Sequence, residues 1–200
     1  MGKLNIAFLA SHGGSNMQAI FNAINAGTLD VNPVVVISNN SNSKAFDRAK
    51  KETVPRLHMS GKTHPNPDEL DTAMCETLQK YKADLVILAG YMKKIGDKTL
   101  KAFNGRILNI HPALLPKFGG QGMYGMRVHE AVLAAGESES GVTIHVIDDK
   151  YDNGPIIAQE KVPVNEDDTA DKLAERVLKV EHKLYSETIG KIASGEIKLS

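Results

Sequence analysis

The amino-acid sequence predicts an α/β fold: one open, twisted, mostly parallel β-sheet with helices on both faces, an antiparallel strand in the C-terminal half and a long C-terminal helix. Short apolar runs alternate with longer helical patterns through the first half, the signature of βαβ units. Around residue 144 the pattern becomes strict alternation, and beyond residue 170 apolar residues recur at helical spacing.

Taken in order, residues 4–10 form an apolar strand that runs into Ser11-His12-Gly13-Gly14-Ser15-Asn16. A helix is expected over 15–26, stopped by Gly27 in a left-handed conformation. Strands follow at 33–38 and 54–57, with a helix over 43–52 between them. A helix over 67–81 leads to the strands 85–88 and 106–109. Val142, Ile144 and Val146 alternate with Thr143, His145 and Ile147, which gives this strand two distinct faces and puts Thr143 and His145 on one of them. The next strand, 155–162, is expected to follow through a tight connection at Asp152-Asn153-Gly154. Leu173, Val177, Val180 and Leu184 mark an amphipathic helix that packs on the sheet, with Lys172, Glu175, Lys179 and Lys183 between them. The loop 118–125 carries four glycines and is a candidate mobile lid.

The 200 residues, 42% of them apolar, suit one domain with one core. Lys plus Arg and Asp plus Glu both number 24, and no basic run interleaves with aromatics, so nucleic acid is not an expected partner. The central apolar run, 85–89, is far shorter than the ~20 residues that span a bilayer. The chain enters its first strand without a signal-peptide core, and a soluble cytoplasmic protein is expected. A lone cysteine, Cys75, builds neither a disulfide framework nor a thiolate metal site.

The most telling chemistry is in Asn109-Ile110-His111-Pro112, followed by Ala113-Leu114-Leu115-Pro116 and later by Asp152-Asn153-Gly154-Pro155. Pro112 disfavours the helical region for His111, so this segment is extended, and Asn109 and His111 project to one side roughly 6 to 7 Å apart. An amide that donates a hydrogen bond and an imidazole that moves a proton are the groups acyl transfer requires. Asp152 near His111 would favour the charged ring. On its own, Asp152 reads equally as a turn residue that bonds its own backbone.

Gly13-Gly14-Ser15-Asn16, between strand and helix, has the order that serves phosphate binding, although the spacing is not the dinucleotide fingerprint. The same residues also read as a plain capping box, with Ser15 as N-cap and Gln18 three positions on. His111, His129 and His145 with Asp152 match no metal-ligand spacing, and no metal is expected. Judged from the residues alone, Lys117, Arg127, Glu181 and His182 are solvated surface groups.

Taken together, these segments resemble the folate-dependent formyltransferases. The resemblance is carried by Gly14-Ser15-Asn16, Leu88-Ala89-Gly90-Tyr91-Met92, Leu108-Asn109-Ile110-His111-Pro112, Gly141-Val142-Thr143-Ile144-His145, Asp152-Asn153-Gly154-Pro155 and Glu181-His182. It implies a single Rossmann-like formyltransferase domain over 1–200, with a phosphate- and nucleotide-binding half over 1–105 and a catalytic and folate-binding half over 106–200. It further implies 10-formyltetrahydrofolate as donor, glycinamide ribonucleotide as acceptor, direct amine attack through a tetrahedral intermediate, and a monomer or homodimer. By the same resemblance Asn109, His111 and Asp152 are catalytic. Gly14, Ser15, Asn16 and Glu181 hold the acceptor. Met92, Lys93, Lys94, Ile95, Asn109, Asp148, Asp149 and Asp152 hold the folate, and Thr143 and His145 support the pocket from behind.

The chain departs from the family pattern in three places. Segment 60–70 has two prolines and no arginine where relatives often present one to the folate, the glycine-rich loop is longer than in many relatives, and Arg127 stands near a position often held by His. Two other readings remain open at this point: a hydrolase of the formyl-folate, and a phosphate-binding regulatory module that keeps only the scaffold.

Overall fold

Strand order in the single sheet is β3-β2-β1-β4-β5-β6-β7, as seen in a computed structural model that describes residues 2–199. The elements are β1 (Leu4–Ala10), α1 (Ser15–Asn25), β2 (Val31–Ser38), α2 (Lys44–Lys51), β3 (Arg56–His58), α3 (Pro67–Lys80), β4 (Leu85–Leu88), α4 (Asp97–Ala102), β5 (Ile107–His111), α5 (Met126–Ala134), β6 (Glu139–Val146), β7 (Ile156–Pro163) and α6 (Ala170–Ala193). The first five strands are parallel, while β6 and β7 pair antiparallel to their neighbours. The predicted α/β class and mostly parallel sheet are therefore observed.

Alternate residues of the strands feed two cores. Ile6 and Phe8 of β1, with Leu108, Ile144 and Val146, pack under α1, α2 and α6. Ala7, Leu9, Val35 and Ile37 pack under α3, through Met74 and Leu78. Strands covered on both faces are apolar almost throughout, as parallel sheets require. Phe8 and Phe21 meet edge to face at 5.3 Å, which fastens α1 to the central strand.

Several boundaries move for identifiable reasons. Strand β3 begins two residues later than expected, because Thr53 takes a left-handed turn (φ 56°) and Val54 still closes the end of α2 by bonding to Ala49. Strand β5 continues through His111, paired with Thr143 of β6. The alternative reading of these residues as a capping box does not hold: Gly14 is the N-cap of α1, in the left-handed region (φ 63°, ψ 38°), with no side-chain cap. The connection from β6 to β7 is a nine-residue excursion over 147–155 rather than a tight turn. Helices α4 and α5 were not anticipated. The start of α4 is held by Asp71 of α3, whose carboxylate accepts from Lys98 N–H (2.7 Å), Thr99 N–H (3.1 Å) and the Thr99 hydroxyl (2.6 Å).

At the end of the 147–155 excursion, Gly154 passes so close to β6 that a Cβ there would run into the Val146 carbonyl. Gly154→Ala is expected to destabilise the protein by about 1–3 kcal/mol in chemical denaturation, the usual cost of overpacking. Gly61→Ala, where a Cβ meets nothing within 4 Å, serves as control and stays within about 0.5 kcal/mol.

Candidate active site

Antiparallel pairing sets Asn109 opposite His145 and His111 opposite Thr143, so four polar side chains share one face of the β5–β6 pair. That face is otherwise closed to water: His111 is 3% exposed, and His145 and Thr143 are fully buried. The Asn109 amide nitrogen lies 3.1 Å from His145 Nε2. His145 Nδ1 faces the Val146 carbonyl at 3.1 Å. Asp152 arrives from the 147–155 segment, with Oδ2 3.7 Å from His111 Nδ1 and Oδ1 3.5 Å from His145 Nε2. The carboxylate expected near His111 is thus within reach of both rings, held by a residue in the left-handed region (φ 53°).

The chain after β5 folds back over this cluster. Thr143 Oγ1 donates to the Ala113 carbonyl (2.6 Å) and accepts from Leu115 N–H (3.0 Å) and the Gln159 amide (2.8 Å). Gln159 also donates to the Leu115 carbonyl (2.9 Å). With the backbone pinned there, the glycine-rich segment closes on the functional groups. His111 Nε2 donates to the Phe118 carbonyl (2.8 Å), and Gly120 N–H donates to Asp152 Oδ2 (2.9 Å). Gly119 between them has no room for a Cβ, which would meet Leu115 and Asp152. Phe118, like Asp152, is left-handed (φ 55°).

Burial pushes the His111 ring below its ordinary pKa, and the Asp152 carboxylate and the Phe118 carbonyl oppose that push. Burial also raises Asp152, but the facing rings of His145 and His111 and the Gly120 N–H outweigh it and hold the carboxyl below its usual range. Asp152 is therefore charged near neutrality. His129 of α5, buried with its Nδ1 unpartnered, is lowered by burial and by the nearby His111.

A second polar cluster lies at the start of α1. Asn16 Nδ2 donates to Glu181 Oε2 (2.7 Å), and both residues are buried, 7% and 8% exposed. Glu181 is consequently no surface group. Burial raises its carboxyl, and the Asn16 bond only partly offsets this. A signal was present in the sequence: Leu173, Val177, Glu181 and Tyr185 are spaced four apart, so Glu181 sits within the apolar stripe of α6. His182, also read as solvated, is half-buried with an unpartnered Nε2. Lys117 and Arg127 are exposed, Lys117 bonding Glu137 (2.8 Å) and Arg127 lying over the Tyr124 ring (5.2 Å).

Of the residues expected to meet a folate, Met92, Lys93, Lys94 and Asp149 are exposed, Asp148 is half-buried and Ile95 is buried. Lys93, Lys94 and Ile95 line a groove of about 1040 Å³ whose walls also include His12, His58 and Tyr91, but none of Asn109, His111 or Asp152. Ser11, not foreseen, positions this segment: its hydroxyl donates to Asn39 Oδ1 (2.6 Å) and accepts from Met92 N–H (2.7 Å). Gln159 was likewise missed. Among the described residues no group of three or more His, Cys, Asp and Glu is arranged to hold a metal ion, and no helix is long and apolar enough to cross a membrane.

A family model described as formyl transferase matches residues 4–189. The chain belongs to this family. It is 42% identical over 194 residues to a chloroplastic phosphoribosylglycinamide formyltransferase of Arabidopsis thaliana, covering 96% of this chain and 66% of that protein. A phosphoribosylglycinamide formyltransferase of Haemophilus influenzae is 35% identical, with 97% of this chain and 89% of that protein covered. Among solved structures, glycinamide ribonucleotide transformylase 1 of Symbiobacterium toebii superimposes with a TM-score of 0.91 at 38% identity, over 99% of this chain and 91% of that one. The chain thus spans about two thirds of the plant relative and most of each bacterial one.

Three imidazoles, His111, His129 and His182, are lowered by burial in this protein. In the unfolded chain they take up protons near pH 6.5, while the folded protein resists until lower pH. The unfolded state therefore binds more protons as pH falls below about 7, and stability falls with it. Glu181, raised in the folded state, acts in the opposite direction, one group against three. The expected outcome is a lower Tm at pH 5 than at pH 7, with a shallower slope in His129→Gln. A flat or rising Tm over that window contradicts the burial of these rings.

Proposed function

We propose that the protein transfers the formyl group of 10-formyltetrahydrofolate to the amine of glycinamide ribonucleotide, giving the N-formyl product and tetrahydrofolate in de novo purine (IMP) biosynthesis. One observation supports this above all: the Asp152 carboxylate, brought in from a separate segment, stands 3.7 Å from His111 Nδ1 beside the Asn109 amide. The names of relatives that match almost the whole chain point to the same reaction. The reading places the reaction in the cytoplasm, carried out by a monomer or homodimer.

The acceptor's phosphate sits on Gly14, Ser15 and Asn16, where a helix N-terminus supplies free N–H groups, and Glu181 takes the ribose hydroxyls. Met92 to Ile95, Asp148 and Asp149 hold the folate in the second half of the site. The amine lone pair attacks the formyl carbon, a new C–N bond forms, and charge grows on the formyl oxygen. Asn109 and the protonated His111 stabilise that charge. The bond to the folate nitrogen then breaks, and the proton lost by the amine passes to that nitrogen by way of Asp152 and a water. Asp152 favours the imidazolium because its own carboxyl stays ionised. For substrate to meet His111 Nε2, the Phe118 carbonyl has to release it, so the glycine-rich segment opens in each cycle.

The test is turnover by the purified protein, followed by absorbance of the deformylated folate with glycinamide ribonucleotide present and absent. Turnover that needs the amine supports transfer, and formate release at full rate without it means hydrolysis. Asn109→Ala is expected to lower kcat by about 10²- to 10³-fold, the usual loss of one oxyanion donor. For His111→Ala a loss of about 10² to 10⁴ is expected. A change below threefold in either variant removes that residue from the chemistry.

A further inference from the structure

At the start of α1 the first intrahelical bond runs from Gln18 N–H to the Gly14 carbonyl (2.9 Å), so the N–H groups of Ser15, Asn16 and Met17 lie ahead of it. Asn16, 93% buried by its 7% exposure, has an Oδ1 with no partner. Glu181, also buried, has Asn16 as its hydrogen-bond partner through Oε2. A buried turn with these unsatisfied groups is built for a polar ligand. Its fixed charge, however, is small: a helix end offers about half a unit, whereas a phosphomonoester carries about −1.5 to −2. The Glu181 carboxylate adds no positive charge to that balance.

Arg48 of α2 supplies a cation at this turn. Its Nε donates to the Gly13 carbonyl (2.8 Å) and its Nη1 to Gln18 Oε1 (3.0 Å). Gln18 is itself held by Asn22, to which its amide donates (3.0 Å). Helix α2 is locked against the same loop, since Ala45 N–H and the Ser43 hydroxyl both donate to the His12 carbonyl (3.1 and 2.7 Å). A guanidinium has five N–H groups. Two are spent on fixing its position, and no carboxylate pairs with it among the described residues. Its field reaches His182, the residue after Glu181, and that ring is lowered first by burial and then by Arg48. Arg48 and the Glu181–His182 pair therefore flank the first turn of α1 from α2 and α6.

We propose that Arg48 is the charge-bearing residue of a phosphomonoester site at the start of α1, and that it makes the enzyme select the phosphorylated acceptor over its unphosphorylated form. This rests on the ribonucleotide reading above and extends it to a specificity-determining residue. Because Gln18 and Gly13 preorganise the guanidinium, little side-chain entropy is lost when the phosphate arrives. Lysine, without the fork, cannot keep both tethers and reach the ligand as well.

The experiment compares native protein, Arg48→Ala and Arg48→Lys on glycinamide ribonucleotide and on glycinamide riboside, which lacks the phosphate. The expected result for Arg48→Ala is a KM for the ribonucleotide about 10- to 100-fold higher, the loss of one hydrogen-bonded charge, with kcat and the KM for the formyl donor within threefold. Its kcat/KM for the riboside moves by less than threefold, and Arg48→Lys recovers part of the ribonucleotide KM. Equal losses on both acceptors mean that Arg48 only shapes the glycine turn, and that overturns the proposal, as does an unchanged KM. If the native protein formylates neither acceptor, the proposed reaction fails, and calorimetry with ribose 5-phosphate against ribose decides the site independently. Phosphate-dependent binding that disappears in Arg48→Ala sustains it, and equal binding by both proteins, or by neither, rejects it.

Discussion

Because β6 runs antiparallel to β5, the register puts Asn109 against His145 and His111 against Thr143, and every other feature of the candidate site answers to that pairing. A sheet continued in parallel would need a crossover helix, and the helix would cover one face of the new strand. The reversal dispenses with the crossover. The face that carries Asn109 and His111 is left to be closed by loops, which can present backbone groups and an acidic residue to it. Thr143 shows how closely the two are fitted, with its single hydroxyl bonding two points of the returning chain and Gln159 of β7. The strained conformations of Phe118 and Asp152 face this same surface, held by a hydrogen bond from Gly120 and the tight seat of Gly119.

Two opposing effects set the proton on His111. Two unit charges 3.7 Å apart attract by about 4 kcal/mol at an effective dielectric constant of about 20, while stripping water from a buried ion costs several kcal/mol. Burial prevails in the closed site, so the neutral ring is favoured there, and Asp152 reduces the cost of charging it when, in the proposed reaction, it takes up a proton. Asp152 does not share this balance. Two rings and a backbone N–H face it, and its charge is secure at neutral pH.

What could be read from the sequence was local. Pro112 and the alternation of Val142, Ile144 and Val146 reveal extended chain, and hence which side chains share a face, from neighbours one or two positions away. The convergence of Asp152 on His111 spans forty-one positions and depends on the path of the 147–155 excursion, which Gly154 threads against β6. Contacts between distant segments likewise hid α4, whose start is held by Asp71, and the role of Ser11, whose hydroxyl links segments near residues 39 and 92. Glu181 is a different case. Its place in the apolar stripe of α6 was visible, but a glutamate flanked by Val180 and His182 reads as solvated until Asn16 is known to lie opposite.

The two clusters are fixed relative to each other by α6. The Tyr185 hydroxyl reaches the Leu88 and Leu108 carbonyls (3.2 and 2.9 Å), which clamps the helix to the ends of β4 and β5. One turn earlier on the same helix, Glu181 holds Asn16 at the start of α1. A rigid line therefore runs from the glycine turn through α6 to Leu108, the residue immediately before Asn109. In the proposed reaction, acceptor and reacting groups held on one such frame meet as an intramolecular pair, and most of the entropic cost of bringing them together is met by binding at the phosphate end. The motion that the proposed reaction needs is then confined to the Phe118–Asp152 side, where a carbonyl and an N–H engage the groups assigned to meet substrate. In the proposed cycle, opening that side breaks these two part-buried hydrogen bonds and leaves the frame intact, so substrate enters without loosening what aligns it.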